Sequence, residues 1–151
     1  METQPTVSSI TIYSIKSLDG VSLQKGMTTE GGCLLHDREY AITDANGKFI
    51  NGKANPLAHS LRSSIDFEKE MISFRHHDEA TWDHFDLQNE KTGIDIYLSN
   101  FFKTPARFIQ NKTGRFLDIP DISGTIISTA SLHSVSAWFN IPGREDTRHS
   151  Y

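Results

Sequence analysis

Lys16 and Ser17 close a run of alternating β-formers, Ser9 to Ile15, and about twenty residues later Asp37-Arg38 opens a second such run. Lysine supplies a mobile point charge and arginine a planar fork able to bond two oxygens. Serine adds a hydroxyl beside a backbone amide. Fixed at strand ends, this set would hold a phosphate-like dianion with donors that need little reorganisation. The same residues also fit a plainer reading: two surface cations, with Asp37 paired locally to Arg38. Lys53 is a weaker third cation and by itself reads as a solvated loop lysine.

Other candidates carry less. Cys33, the only cysteine, has Gly32 and His36 nearby, but a reactive thiol needs a lowered pKa and exposure, and a structural cysteine is the better reading. His76, His77 and His84 lie among Asp78, Glu79 and Asp83. Their spacing matches no zinc template, and adjacent strand residues point to opposite faces, so this segment is expected to be a polar hairpin tip with no metal. There is no Gly-x-Ser-x-Gly elbow, P-loop or dinucleotide fingerprint.

The elements that must position the cations are mostly strands. Ile10 and Ile12 alternate with polar residues, Val21 and Leu23 suggest a short strand, and Arg38, Tyr40 and Ile42 share a face. Asn46-Gly47 before Phe49-Ile50 predicts a two-residue hairpin. Further strands are expected over Ser60–Phe67, Met71–His76, Trp82–Gln88 and Ala106–Gln110. Ile94, Tyr97, Leu98 and Phe101 have helical spacing, closed by Pro105. Asn111 to Asp121 reads as loop. Thr125-Ile126-Ile127 reads as a strand, and Ser128-Thr129 as the N-cap of a helix carrying Leu132, Val135 and Phe139 on one side. The polar Arg144–Tyr151 ends the chain. The fold class is therefore mainly β (α+β): a small β-barrel of six or seven short strands with one or two C-terminal helices.

With 151 residues, 36% hydrophobic and 10% aromatic, the chain suits one domain, or a domain plus a fragment. A net charge of −4 excludes nucleic-acid binding through bulk electrostatics. The N-terminus has no signal-peptide pattern, and no stretch approaches the roughly 18 apolar residues of a membrane span. A single cysteine suits a reducing compartment, so a cytoplasmic location is expected.

Five segments in order resemble the N-terminal β-barrel of the MOSC (molybdenum cofactor sulfurase C-terminal) family. They are Ile12–Ser17; Gly32–Leu35 with Asp37–Tyr40; Asp44–Ile50; Lys53–Pro56; and Ile96–Phe102 followed by Pro105-Ala106-Arg107. Residues 125–139 resemble the opening strand and helix of the catalytic MOSC domain. The resemblance implies a barrel domain over 1–111 and a truncated start of the MOSC domain over 112–151. It implies the molybdenum cofactor (molybdopterin) as ligand, with Lys16, Ser17 and Arg38 at positions contacting the pterin and its phosphate. Ser128 falls where the MOSC half adds a polar contact.

Family members reduce N-hydroxylated compounds or transfer sulfur to the cofactor. The family's cofactor cysteine lies beyond residue 151, and its role does not transfer to Cys33. The expectation is thus half of a cofactor site, not catalytic alone and not certain to retain the cofactor. Its partners would be the missing MOSC half or a second copy, with a redox protein for a complete enzyme. Two alternatives remain open: a β-barrel interaction module without cofactor, and an enzyme using Cys33.

Overall fold

The described residues form seven short strands, spread over three small antiparallel sheets. The computed structural model describes residues 5–30, 32–113, 115–118 and 124–139. Arg144–Tyr151, discussed above, lie outside these residues, as does part of the 111–121 loop. β1 (Ile10–Ile12) pairs with β2 (Val21–Leu23), and β3 (Tyr40–Asp44) pairs with β7 (Ala106–Gln110). β4 (Leu61–Asp66), β5 (Met71–His76) and β6 (Asp83–Asp86) form a meander. Two helices complete the described fold, α1 (Lys91–Phe102) and α2 (Thr129–Trp138). The protein is a small β-rich α+β domain.

One core joins the β3–β7 pair, the meander and α1. Ile42 from β3, Ile72 and Phe74 from β5, and Ile94 and Leu98 from α1 are each at most 2% exposed. Phe74 sits at its centre, stacked on Tyr97 at 5.7 Å and edge-on to Phe108 at 6.2 Å between ring centroids. α1 buries Ile94, Leu98 and Phe102, four residues apart, which places all three on one stripe. Its last turn closes on Lys103 in the left-handed region, just before Pro105 bars further helix. Asp95 and Ser99 of α1 then hydrogen-bond the backbone of Phe108 and Ala106, fixing the helix to β7.

Three local expectations are corrected. The Asn46-Gly47 turn forms, with Gly47 at φ 78° and the Asp44 carboxylate accepting from the Asn46 and Lys48 amides. The returning segment makes only the Thr43–Phe49 bridge, flanked by two bonds, Asp44 N–H to Lys48 O and Ile50 N–H to Ile42 O. A second turn begins at once at Asn51, whose side chain accepts from Lys53 and Ala54 and draws the chain out of the ladder. Thr125–Ile127 is not a strand: Ile126 is fully exposed, and no described strand pairs with it. The strand ends assigned to the cations are also displaced. β1 stops at Ile12, and Asp37-Arg38 lies in the turn before β3.

Phe74 anchors the packing, so Phe74→Ala should lower stability by about 3–5 kcal/mol. The expected readout is a lower urea midpoint with an unchanged slope. A loss below about 1 kcal/mol would mean that the core closes without this ring.

Candidate anion-binding site

Three chain segments meet beyond the end of β1. Residues 13–16 run alongside 38–40: Lys16 N–H bonds Tyr40 O, Tyr40 N–H bonds Ser14 O and Arg38 N–H bonds Tyr13 O, each within 2.9 Å. The third segment joins when Asn111 N–H bonds Glu39 O and Phe116 N–H bonds Arg38 O. Asp37 is buried and ties its neighbours, accepting from Tyr13 N–H at 2.8 Å and from the Arg38 guanidinium at 3.1 Å.

A buried ionic cluster locks this junction. The Glu39 carboxylate receives Arg115 at 2.8 Å, the Gln110 amide, and a contact from His36 Nδ1 at 2.7 Å. The Glu39 and Arg115 side chains are each only 4% exposed. Burial pushes the Glu39 pKa up. The hydrogen bonds from His36, Gln110 and Arg115 outweigh it and hold the carboxyl below its ordinary 4.5. Tyr40, stacked on Phe108, is pushed up to about 12 by burial and the Glu39 charge, and its hydroxyl accepts from Gln110.

Backbone strain concentrates in the same place. Six described non-glycine residues have positive φ, and four of them belong to these segments: Ser17 (67°), His36 (65°), Arg38 (48°) and Arg115 (52°). Such conformations cost of order 1 kcal/mol or more each and persist where surrounding bonds over-determine them, a pattern that clusters at ligand clamps.

One of the cations meets a carboxylate directly. Lys16 Nζ donates to Phe116 O at 2.9 Å and to Asp118 Oδ1 at 2.5 Å, and it lies 5.3 Å from the Phe49 ring centroid. Its side chain is 11% exposed, that of Asp118 74%. The hydrogen bond from Lys16 is the main cause holding the Asp118 carboxyl below its ordinary 3.8, and the charges of Lys16, Arg38 and Lys53 add to it. The charges of Lys16, Arg38 and Lys53 thus act on one carboxylate, and among the described residues only Lys16 is in hydrogen-bond contact with it. The sequence left Asp118 unmarked, because a loop acid about 100 residues away carries no local signal of its partner. Arg115 was missed for the same reason.

Ser17 turns to a neighbouring cavity of about 240 Å³, lined also by Asp19, His59 and Arg62. No hydrogen bond joins Ser17 to another described residue, which leaves its hydroxyl and amide as donors. Arg62 is held by Asp19 at 3.2 Å. A Cβ at Gly52 would lie 2.4 Å from the exposed His59 ring, which would have to swing aside. Ser128 stands apart. Its hydroxyl caps α2 by accepting from Ser131 N–H at 3.0 Å, and no described bond links it to the cations.

Elsewhere, Cys33 is buried, which withdraws the access that a nucleophilic thiol requires. The alternating-face argument for the histidines fails locally, because β5 ends at His76 and the next residues turn. Potential ligand atoms of His76, His77 and Asp78 lie within 4.8 Å of one another, on an exposed tip. Asp78 already engages both rings, accepting from His77 Nε2 at 3.0 Å and donating its amide to His76 Nδ1.

A small β-rich domain with a strained, cation-lined junction is the class that these features define. The model of the MOSC N-terminal beta barrel domain matches residues 4–106, and the chain belongs to that family. It is 28% identical to a molybdenum cofactor sulfurase of Solanum lycopersicum over 70% of this chain and 15% of that protein. Similar matches are to molybdenum cofactor sulfurases of Oryza sativa subsp. japonica, 37% identical over 41% of this chain and 7% of that protein, and of Arabidopsis thaliana, 34% identical over 44% and 8%. The matched part of the chain thus spans 15% or less of the length of these curated relatives. No solved structure matches.

The Glu39 cluster sets an acid limit on stability. A carboxyl whose folded pKa lies below its unfolded value stabilises fully above the unfolded value, near 4.5, and loses that contribution as pH falls through the folded one. Urea midpoints should hold from neutral pH to about 5 and fall below it, with a shallower acid limb in Glu39→Gln. At neutral pH Arg115→Ala should cost about 3–5 kcal/mol, because it strands a buried carboxylate. A midpoint unmoved in Arg115→Ala would show that the cluster does not hold the 110–118 loop.

Proposed function

We propose that this chain contributes to binding the molybdenum cofactor, with Lys16, Arg38 and Ser17 as anchors for the anionic end of the molybdopterin. The observation that carries the reading is the Lys16 ammonium held on the Asp118 carboxylate, with the charges of Arg38 and Lys53 acting on the same group. A carboxylate there stands in for a phosphate oxygen: it is an anion accepting from an ammonium in a field of further cations. The donor set suits a phosphate, with one ammonium, one guanidinium fork held from behind by Asp37, a second lysine, and the Ser17 hydroxyl and amide at the adjoining cavity. Membership in the MOSC N-terminal family and the likeness to proteins named molybdenum cofactor sulfurase support the same ligand.

When bound, the cofactor would supply the metal-centred chemistry. The residues of this chain would hold and orient it. Cys33 is buried and supplies no nucleophile, so on this reading the chain does not turn over substrate alone. We infer barrel and MOSC portions dividing near residue 111, with Ser128 contributing once the second portion is in place. The exposed apolar side chains of α2, among them Trp138 at 87% and Phe139 at 69%, would be covered by that portion. A redox protein would be a further partner of a complete enzyme. Among the described residues no helix is long and apolar enough to cross a membrane, and with the single cysteine this supports a cytoplasmic site of action.

The same α2 face favours a second reading, a β-rich interaction module that needs no cofactor. Cofactor retention separates the two. Wild type should retain molybdopterin, and Lys16→Ala/Arg38→Ala should lose it at least tenfold, a difference of about 1.4 kcal/mol. Equal retention by the two proteins would refute the anchoring roles and leave the module reading.

A further inference from the structure

We propose that Asp118 is a displaceable internal ligand of the Lys16–Arg38–Lys53 site, and that it makes the site selective for dianionic groups over monoanionic ones. The inference rests on the anion-site reading above and extends it to an acidic residue with no assigned part. Lys16 Nζ spends its contacts on Phe116 O, Asp118 Oδ1 and the Phe49 ring face. An incoming anion that uses this ammonium must therefore take the place of the Asp118 carboxylate.

The two partners differ in their freedom to move. The Lys16 side chain is 11% exposed, wedged between Phe49 and the backbone of Phe116, and those two rings pack edge to face at 5.7 Å. The Asp118 side chain is 74% exposed, so it can leave into water without opening the core. No other hydrogen bond from a described residue holds its carboxylate, whereas Phe116, two positions earlier, is pinned by its amide to Arg38 O. The carboxylate thus hangs from a fixed point beside the cations. Its lowered pKa keeps it charged at neutral pH.

Selectivity follows from charge. Asp118 presents one negative charge at the high effective concentration of a tethered group. A free monoanion offers the cations no more attraction than the carboxylate it must displace, and it also pays the entropy of association. A phosphate dianion offers about twice the charge and three oxygens, enough to engage Lys16 and Arg38 together. Asp118 would thereby raise the threshold for chloride and small carboxylates while leaving a phosphate ester able to enter.

Titration calorimetry of the full chain with inorganic phosphate and with formate tests this, at a pH where phosphate is a dianion. Wild type should bind phosphate and not formate. Asp118→Asn should bind phosphate about tenfold more tightly and take up formate measurably, while Asp118→Glu should keep the wild-type preference. Because residue 118 is exposed, thermal unfolding of both variants should match wild type. Unchanged phosphate affinity and formate exclusion in Asp118→Asn, with binding still lost in Lys16→Ala/Arg38→Ala, would overturn the role of Asp118 and leave the anion site intact. Phosphate binding that survives Lys16→Ala/Arg38→Ala, or is absent from every variant, would overturn both.

Discussion

The buried Glu39 carboxylate is the constraint on which the rest of the site depends. It lies between the turn that carries Arg38 and strand β3, and it draws in Arg115, Gln110 and His36 from both sides. A carboxylate placed almost wholly out of water is tolerated only when its oxygens are filled, and here three side chains fill them. Filling them brings the 110–118 loop across residues 38–40, and that loop delivers Phe116 O and Asp118 to Lys16. The charged cluster is therefore the frame of the site. The exposed cations alone would not define it.

Strain and charge reinforce each other around this frame. Arg38 and Arg115 both adopt left-handed backbone conformations that their side chains disfavour, and the Arg115 side chain is tied to Glu39. Arg38 donates its amide to Tyr13 O and accepts from Phe116 N–H, so its backbone is fixed from two segments while its guanidinium is braced by Asp37. The result is a cation whose direction is set in advance, the property an anion site needs if binding is not to be spent on ordering side chains. Lys16 gains the same quality differently, by burial of its stem against Phe49.

The α2 region obeys different physics. Its helix is properly capped by Ser128, yet it buries none of its residues and leaves Val135, Trp138 and Phe139 in water. Local hydrogen bonding is enough to explain the helix start. None of the described core covers its apolar face. That core, around Phe74, is packed by β3, β4, β5, β7 and α1.

Periodicity alone determined much of this protein. The β4–β5 meander, the α1 stripe of Ile94 and Leu98, the strand at Ala106–Gln110 and the Ser128 cap were all legible, because each rests on interactions within a few residues. Lys16 and Arg38 drew notice because β-patterned segments flank them, yet the structure places both in turns and not at strand ends. Where local signals competed, the sequence misled. Phe49-Ile50 read as a strand until the Asn51 turn removed it, and His76-His77 read as opposed faces until the strand ended between them. Tertiary structure decided everything that joins distant segments: Asp118 on Lys16, Arg115 on Glu39, and His59 closing over Gly52. These are pairings of charges and surfaces with no periodicity of their own, so only the packed chain could reveal which acid meets which base.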